Sequence, residues 1–270
     1  MSGPSAGPPR AGLHPPGGSA GVLAGRGADV PAQLSLSGVC KRYGALTVTD
    51  EVSLSVRDGE TLGILGPNGA GKTTLFNLIS GDARCDAGRV EYQGRDITGL
   101  KPHQRCRAGI GRSYQVPQPF GNMTVFENLV TAACFGGGQR EAEARETAHA
   151  VLVQTRLLPH ANKPAGGLTL LNRKRLELAR ALATRPKLLL LDEIAGGLTE
   201  HEAAELVDEL RRIKAQGVTM IWIEHVVHAL LAIADRLFVI NFGKQLAVGE
   251  PQAVMNDPEV RRVYMGMEPC

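Results

Sequence analysis

A glycine-rich run between a short apolar strand and a helix constrains this sequence more than any other feature. Residues 66–73 read Gly-Pro-Asn-Gly-Ala-Gly-Lys-Thr and fit the pattern G-x-x-x-x-G-K-[ST]. The apolar segment Thr61–Leu65 precedes the run, and the helical segment Lys72–Ser80 continues from its end. A strand, a tight turn and a helix in this order are typical of an α/β fold with a phosphate-binding loop.

Each part of this run has a physical role in holding a phosphate chain. Glycine tolerates positive φ and lets backbone amides wrap an anion, while the following helix points its positive end at that anion. The Lys72 ammonium can reach the β- and γ-phosphates, and the Thr73 hydroxyl can ligate Mg²⁺. A chance Gly-rich turn is the alternative, and the flanking strand and helix disfavour it. The residues predicted to bind nucleotide are Gly66, Pro67, Asn68, Gly69, Ala70, Gly71, Lys72, Thr73 and Thr74.

A second acidic element follows far along the chain. Leu188–Leu191 is an apolar run that ends in Asp192 and Glu193. Alone, such a run is often a strand meeting solvent; beside a phosphate loop, it predicts Asp192 as a metal-shell residue and Glu193 as the group that polarises an attacking water. Guanine specificity is unsupported, because Asn162-Lys163-Pro164-Ala165 lacks the acid of an Asn-Lys-x-Asp motif.

Apolar strands alternate with helical patterns from Leu34 onward, which predicts a parallel sheet in an α/β fold. The capping pattern Thr199-x-x-Glu202 predicts a helix reaching about Lys214, and Asp257-Pro258 predicts the start of the last helix. Arg140–Leu158 and Val226–Ile233 are further predicted helices. The predicted strands are Arg89–Gln93 in a hairpin, Leu188–Leu191, Thr219–Ile223, Leu237–Ile240 and Gln245–Val248.

Composition excludes several classes of protein. The chain has 270 residues, of which 43% are hydrophobic. Only 4% are aromatic, which argues against a surface that binds single-stranded nucleic acid by stacking. The net charge of +3 is too weak to indicate a polyanion partner. Apolar stretches stay well below the ~18 residues of a membrane span. Five scattered cysteines without CxxC spacing fit a reducing cytoplasm. Residues 1–31, rich in Gly, Pro and Ala, predict a disordered tail.

Four further segments make the chain resemble the ATP-binding subunits of ABC transporters over about residues 34–266, most closely the branched-chain amino acid group. Arg112–Gln115 followed by Met123–Leu129 resembles the family's Q-loop segment. Leu168–Asn172 followed by Arg173–Leu182 resembles its signature and signature helix, and Ile221–His225 resembles its switch segment. The ending from Gly243 to Gly266 resembles that of the branched-chain group.

The resemblance implies a fold and further site residues. The fold is an α/β P-loop NTPase domain of the ABC type over 32–266, with a mostly parallel sheet core, an antiparallel β piece, a helical subdomain at about 98–187 and a short tail at 267–270. Gln115 would contact Mg²⁺ or the attacking water and sense the membrane partner. Tyr43, upstream of the phosphate loop, would stack on adenine, and His225 would hydrogen-bond the γ-phosphate.

This sequence departs from the family pattern at the signature and beyond. Leu170 and Leu171 replace two glycines, and Asn172 replaces a glutamine, while Thr169 keeps a hydroxyl at the serine position. Thr199 stands where the family usually has an acid. The basic triplet Arg173–Arg175 is interpreted as a solvated helix start rather than a nucleic-acid site.

The resemblance also implies partners and a cellular place. Two ATP-binding chains, identical or sister chains, would close head-to-tail, so that the phosphate loop of each faces Thr169 of the other. They would be peripheral subunits on the cytoplasmic face of the bacterial inner membrane. ATP and Mg²⁺ would be the cofactors, and the chain would power transmembrane permease subunits fed by an extracytoplasmic solute-binding protein, without nucleic acid. Two alternatives stay open: a non-transport ABC ATPase acting on nucleic acid or ribosomes, and a regulatory nucleotide-binding module without turnover.

Overall fold

Ten β-strands form two sheets in the part of the chain that the computed structural model describes, namely Gly3 and residues 32–265. The expected tails at 1–31 and 267–270 lie outside the described residues, apart from Gly3. In chain order the strands are β1 (Ala32–Tyr43), β2 (Leu46–Arg57), β3 (Thr61–Leu65), β4 (Ala87–Tyr92), β5 (Arg95–Asp96), β6 (Ile110–Arg112), β7 (Leu188–Asp192), β8 (Thr219–Ile223), β9 (Arg236–Asn241) and β10 (Lys244–Gly249).

The larger sheet has six strands in the order β10-β9-β3-β8-β7-β6. Its strands run parallel except β10, which pairs antiparallel with β9. Every residue of β3, β7 and β8 is buried, as expected for strands covered on both faces. Leu188 and Leu190 join one apolar cluster while Leu189 and Leu191 join the other, so the sheet separates two cores. The predicted α/β fold with a mostly parallel sheet is confirmed.

The smaller sheet is the antiparallel piece, with the order β2-β1-β4-β5. Strands β4 and β5 form the expected hairpin, although β4 begins and ends earlier than the predicted strand, because Gln93 and Gly94 take positive φ and make the turn. The apolar side chains of this sheet, such as Leu34 and Val90, cluster with Leu62 and Ile64 of β3. The antiparallel sheet therefore covers the same strand that leads into the glycine-rich loop.

The described chain contains nine α-helices: α1 (Lys72–Ser80), α2 (Pro102–Ala108), α3 (Val125–Thr131), α4 (Glu141–Gln154), α5 (Leu170–Ala183), α6 (Glu200–Ala215), α7 (Val227–Leu231), α8 (Pro251–Asn256) and α9 (Pro258–Met265). Helix α4 ends before Leu158 because Arg156 takes a left-handed φ of 55°. Helices α3, α4 and α5 contact one another. Strand β6 lies within 98–187 but belongs to the parallel sheet, so the bounds of a helical subdomain stay a prediction.

Side-chain caps begin several of these helices. Thr199 and Glu202 form the predicted capping box at α6, and the Asp257 carboxylate accepts hydrogen bonds from two amides of α9. Thr169 begins α5 in the same manner, accepting from the Asn172 amide at 3.4 Å. Thr169 and Thr199, two positions singled out by the family resemblance, therefore both serve as N-cap residues.

Within the described residues, no helix combines the length and apolar character needed to cross a bilayer. Cys40, Cys85, Cys106 and Cys134 are free thiols.

Candidate nucleotide site

The glycine-rich loop joins β3 to α1 by a backbone that side chains would obstruct. A Cβ on Gly66 would lie 2.3 Å from the Ile240 carbonyl oxygen, and one on Gly71 would lie 2.5 Å from the Val48 carbonyl oxygen. Gly71 also has a φ of 105°, in the region that favours glycine. Close packing against β9 and β2 thus requires glycine at positions 66 and 71, whether or not a ligand is bound.

Lys72 is buried at the start of α1, and its ammonium bends back across the loop. Its Nζ donates to the carbonyl oxygens of Gly66 at 2.8 Å and Pro67 at 2.9 Å. Burial lowers the pKa of Lys72, and the negative charges of Glu193 and Asp192 oppose that effect. The phosphate loop and the acidic end of β7 therefore share one electrostatic environment. Thr73, beside it in the first turn, is exposed, and Thr74 is half-buried.

Asp192 ends β7 and is almost fully buried, at 3% exposure. Its Oδ2 accepts a hydrogen bond from Arg112 at 3.2 Å. Burial raises the pKa of Asp192 although the Arg112 guanidinium works in the opposite direction. The same guanidinium donates to Asn77, Ser80 and Asp82, so Arg112 ties the C-terminal end of α1 to the metal-shell candidate. Sequence reasoning gave Arg112 no role, because its partners come from two segments, 77–82 and the end of β7, that are distant from it in the chain.

The side chains of Gln115 and His225 both contact the carboxylate of Glu193. Gln115 Nε2 donates to Glu193 Oε2, and His225 Nε2 lies 2.7 Å from Glu193 Oε1. Glu193 has a φ of 46°, an uncommon value for a residue with a side chain and one found at functional sites. Three residues singled out from separate motifs therefore form one cluster, next to the strand end that carries Asp192.

The basic triplet on α5 is not a solvated helix start, so that interpretation was wrong. Only Arg173 is exposed, whereas Lys174 and Arg175 are buried. The Arg175 guanidinium forms ion pairs with Glu205 at 2.6 Å and Glu209 at 2.7 Å on α6. Consecutive helical residues point about 100° apart, so three basic residues in a row cannot all face solvent when the helix packs on two sides.

Lys174 and Glu224 are further residues of the site that the sequence did not reveal. Lys174 Nζ donates to the carbonyl oxygens of Gln115 and Glu193, each at 2.9 Å. Glu224, 1% exposed, accepts from the amide of Ala195 at 3.0 Å through Oε2 and from that of His225 at 2.9 Å through Oε1. The one sequence signal for Glu224 was its position between the buried strand Thr219–Ile223 and His225, because a charge at the end of a buried strand needs hydrogen-bond partners.

Tyr43 and Thr169 are exposed residues outside this network of contacts. Tyr43 ends β1 with 50% of its surface exposed, and the Lys41 ammonium lies 5.3 Å from the centre of its ring. In the described chain, no hydrogen bond or ion pair joins Tyr43 or Thr169 to Lys72, Asp192 or Glu193. An exposed ring suits a stacking surface, while Thr169 stands at the exposed end of α5.

Comparison with known protein families decides the class of this site. A sequence model of the ABC transporter family matches residues 49–196, which include the glycine-rich loop, Gln115, Asp192 and Glu193. The chain belongs to the ABC transporter family. It is accordingly a nucleotide-binding ATPase subunit of the ABC class, as the sequence motifs predicted.

Relatives with curated functions cover nearly the whole domain. The high-affinity branched-chain amino acid transport ATP-binding protein LivG of Salmonella typhimurium is 36% identical over 248 residues, which is 86% of this chain and 97% of that protein. BraF of Pseudomonas aeruginosa, with the same description, is 36% identical over equal shares. The lipopolysaccharide export system ATP-binding protein LptB of Haemophilus influenzae is 34% identical over 86% of this chain and 97% of its own.

Solved structures agree with this assignment. A nucleotide-free ATP-binding cassette from an ABC transporter superposes with a TM-score of 0.80 at 32% identity, covering 88% of this chain and all of that one. The ADP conformation of the ATP-binding cassette MJ1267 gives a TM-score of 0.78 at 32% identity, over 88% of this chain and all of its own. ABC cassettes thus match this chain in fold and, at 32% identity, in sequence.

Proposed function

We propose that this chain binds and hydrolyses ATP to power an ABC importer for branched-chain amino acids or related small polar solutes. The observation that carries the proposal is the cluster in which the Glu193 carboxylate lies between Gln115 and His225, in the electrostatic field of Lys72. The LivG and BraF relatives support the choice of solute. Nothing in the comparisons favours an ATPase acting on nucleic acid or ribosomes.

The loop and its lysine would hold the phosphates. Lys72 would exchange its contacts with the Gly66 and Pro67 carbonyl oxygens for the β- and γ-phosphate oxygens, since a buried ammonium gains more from an anion than from neutral carbonyls. Backbone amides of the loop, from Gly69 to Thr74, would add further donors. The exposed ring of Tyr43 would stack on adenine.

Glu193 would act as the general base. Its carboxylate would accept a proton from water as the water oxygen attacks the γ-phosphorus, and ADP would leave with the bond electrons. His225 would donate a hydrogen bond to the γ-phosphate from its place 2.7 Å from Glu193. Gln115 would orient the water through its amide, which contacts Glu193 Oε2. A regulatory module without turnover would have no use for this convergence of three side chains.

The residues around the loop fit a magnesium ion. Thr73, Asp192 and Gln115 offer a hydroxyl, a carboxylate and an amide oxygen, which are the hard donors that Mg²⁺ prefers, and phosphate oxygens and waters usually complete such a shell. Among the described residues, Asp192 accepts a side-chain hydrogen bond through Oδ2 alone, so Oδ1 would be available to the metal ion. Bound with ATP, Mg²⁺ supplies neutralisation of the charge that develops on the β- and γ-phosphates.

Assembly follows from the same proposal. A second ATP-binding chain, identical or related, would pack head-to-tail so that its Thr169 faces the phosphate loop of this one. Closing and reopening of the pair would drive transmembrane permease subunits on the cytoplasmic face of the bacterial inner membrane. An extracytoplasmic solute-binding protein would deliver the cargo to those subunits.

Gentle purification from the native host tests this function. The full-length chain is tagged, the membranes are solubilised, and co-purifying proteins are identified together with ligands retained by any solute-binding protein. Two multi-spanning permease chains and a binding protein carrying leucine, isoleucine or valine are expected. Recovery with lipopolysaccharide-export components, ribosomes or DNA in place of those chains would contradict the importer assignment.

A further inference from the structure

We propose that Lys174 is a positioning residue that holds Gln115 and Glu193 in a fixed relation to each other. One ammonium group donates to the main-chain carbonyl oxygens of both residues at 2.9 Å, and their side chains are in turn hydrogen-bonded to each other. The contacts form a closed ring with Lys174 at one corner. The inference rests on the proposed roles of Gln115 and Glu193 in hydrolysis.

Burial makes this link rigid. Lys174 is 4% exposed, and burial lowers its pKa against the opposing charges of Glu224 and Glu193. A buried ammonium that loses its acceptors suffers the full desolvation penalty, so the group has a strong preference for this one geometry. Both oxygens that accept these hydrogen bonds belong to the main chain, so Lys174 fixes the backbone positions of Gln115 and Glu193 directly.

A second residue of α5 holds the Gln115 loop at another point. Arg180, six residues after Lys174, donates to the Gln118 carbonyl oxygen at 3.0 Å and pairs with Glu177 at the same distance. Burial raises the pKa of Glu177, against the lowering effects of Arg180 and of the Gln118 and Tyr114 backbone amides. Lys174, Glu177 and Arg180 are spaced three residues apart, on one inclined ridge of the helix surface. They form a row whose members all contact the segment from Tyr114 to Gln118.

This row gives α5 a direct mechanical connection to the reacting groups. Thr169 begins α5 at the end proposed to face the second ATP-binding chain, and Lys174 lies in the second turn. A shift of α5 therefore changes the separation of Gln115 and Glu193 through Lys174. Because a displacement of about 1 Å can cost on the order of a hundredfold in rate, the position of α5 sets how well the cluster is assembled.

A double-mutant cycle on the purified full-length chain tests the role. Lys174→Met, which keeps the length of the side chain but removes its donors, is measured for ATP turnover, KM and thermal unfolding, alone and combined with Gln115→Ala. We expect kcat to fall about tenfold or more in the native background and KM to change less than about threefold. In the Gln115→Ala background we expect a further loss below about twofold, because residues that act as a unit are not additive.

Conservative and control variants complete the design. Lys174→Arg, which can still donate to two carbonyl oxygens, is expected to recover kcat to within about threefold of the native value. Arg145→Met, which removes an exposed cation from α4, is expected to behave as native. Lys174→Gln, too short to reach both oxygens, is made in parallel and takes the place of Lys174→Met if that variant does not fold.

The outcomes separate this inference from the proposed function. Equal losses in the native and Gln115→Ala backgrounds, an unaltered kcat, a loss confined to KM, no recovery with arginine, or failure of both neutral variants to fold would each overturn the positioning role. Glu193→Gln is assayed alongside. If Glu193→Gln turns over like the native chain, the proposed catalytic site itself fails, whereas inactive Glu193→Gln with a native-like Lys174→Met removes only the role of Lys174.

Discussion

Glu193 Oε1 lies 2.7 Å from His225 Nε2 because the two residues follow neighbouring parallel strands. Asp192 at the end of β7 is paired with Ile223 at the end of β8, so the residues that come next emerge at the same edge of the sheet. The glycine-rich loop leaves β3, the neighbour of β8, at that edge too. Three motifs far apart in sequence thus reach one place through strand order alone.

Replacing Glu193 by glutamine is expected to slow phosphate release strongly while ATP still binds. The amide keeps the shape of the side chain but cannot accept the proton of the attacking water. We expect a fall in kcat of roughly 10²–10⁴-fold, with nucleotide affinity, measured by fluorescence or calorimetry, within about threefold of native. Glu200→Gln, on the exposed first turn of α6, is the matched control, and equal rates for both variants would remove Glu193 from catalysis.

Glu224→Gln is expected to destabilise the chain and slow turnover together. The carboxylate accepts from the amides of Ala195 and His225 through different oxygens, whereas a glutamine amide can accept at only one and presents N–H groups to the other. Leaving a buried donor without an acceptor costs about 1–3 kcal/mol. Chemical denaturation of Glu224→Gln against the exposed control Glu146→Gln measures this cost, and equal unfolding free energies would rule it out.

Arg112→Met is expected to lower the free energy of unfolding by about 3 kcal/mol, since it leaves the buried Asp192 carboxylate without its guanidinium. Arg89→Met, which removes an exposed ion pair, should change stability by less than about 1 kcal/mol.

Adding Asp192→Asn to Arg112→Met gives an independent check on the cause. The double variant contains no buried unpaired charge at this position and should regain part of the lost stability. A double variant that is less stable than Arg112→Met would show that packing of the Arg112 side chain, and not charge pairing, produces the effect.

The stability of the native chain is expected to fall between pH 10 and 12 because of Tyr92. Burial raises the pKa of this phenol to about 12, so in this range the unfolded state ionises Tyr92 and the folded state keeps it neutral. The stabilising contribution is fully present below the unfolded value of ~10 and is lost as pH rises through the folded value, by at most about 2–3 kcal/mol.

Unfolding curves at stepwise pH compare the native chain with Tyr92→Phe. The variant loses the hydrogen bond to the Gly109 carbonyl oxygen and should be less stable below pH 9, with a shallower decline above pH 10. Parallel curves over the whole alkaline range would show that Tyr92 does not cause the decline.

The local features of the chain were predictable from sequence because short-range physics fixes them. The strands around the phosphate loop and the acidic pair follow from apolar runs, and the bounds of α1 and the start of α6 follow from the Gly-Lys-Thr run and the Thr199–Glu202 capping box. Glu193 was singled out by its place at the end of an apolar run, and Gln115 and His225 by resemblance to the ABC family. Their meeting could be inferred only by resemblance, since it depends on the order of β3, β8 and β7.

The direction of each charged side chain on α5 was decided by tertiary structure alone. Arg173, Lys174 and Arg175 look alike as a run of cations, yet one is exposed, one holds two carbonyl oxygens and one pairs with α6. Consecutive residues of a helix point to different sides, and only the packing of neighbouring segments determines which side is buried. The sequence by itself therefore determined the strands, the loop, the caps and the types of reacting groups. The folded arrangement decided which buried charges hold those groups in place, because the partners of Arg112, Lys174 and Glu224 are joined only when separate segments pack.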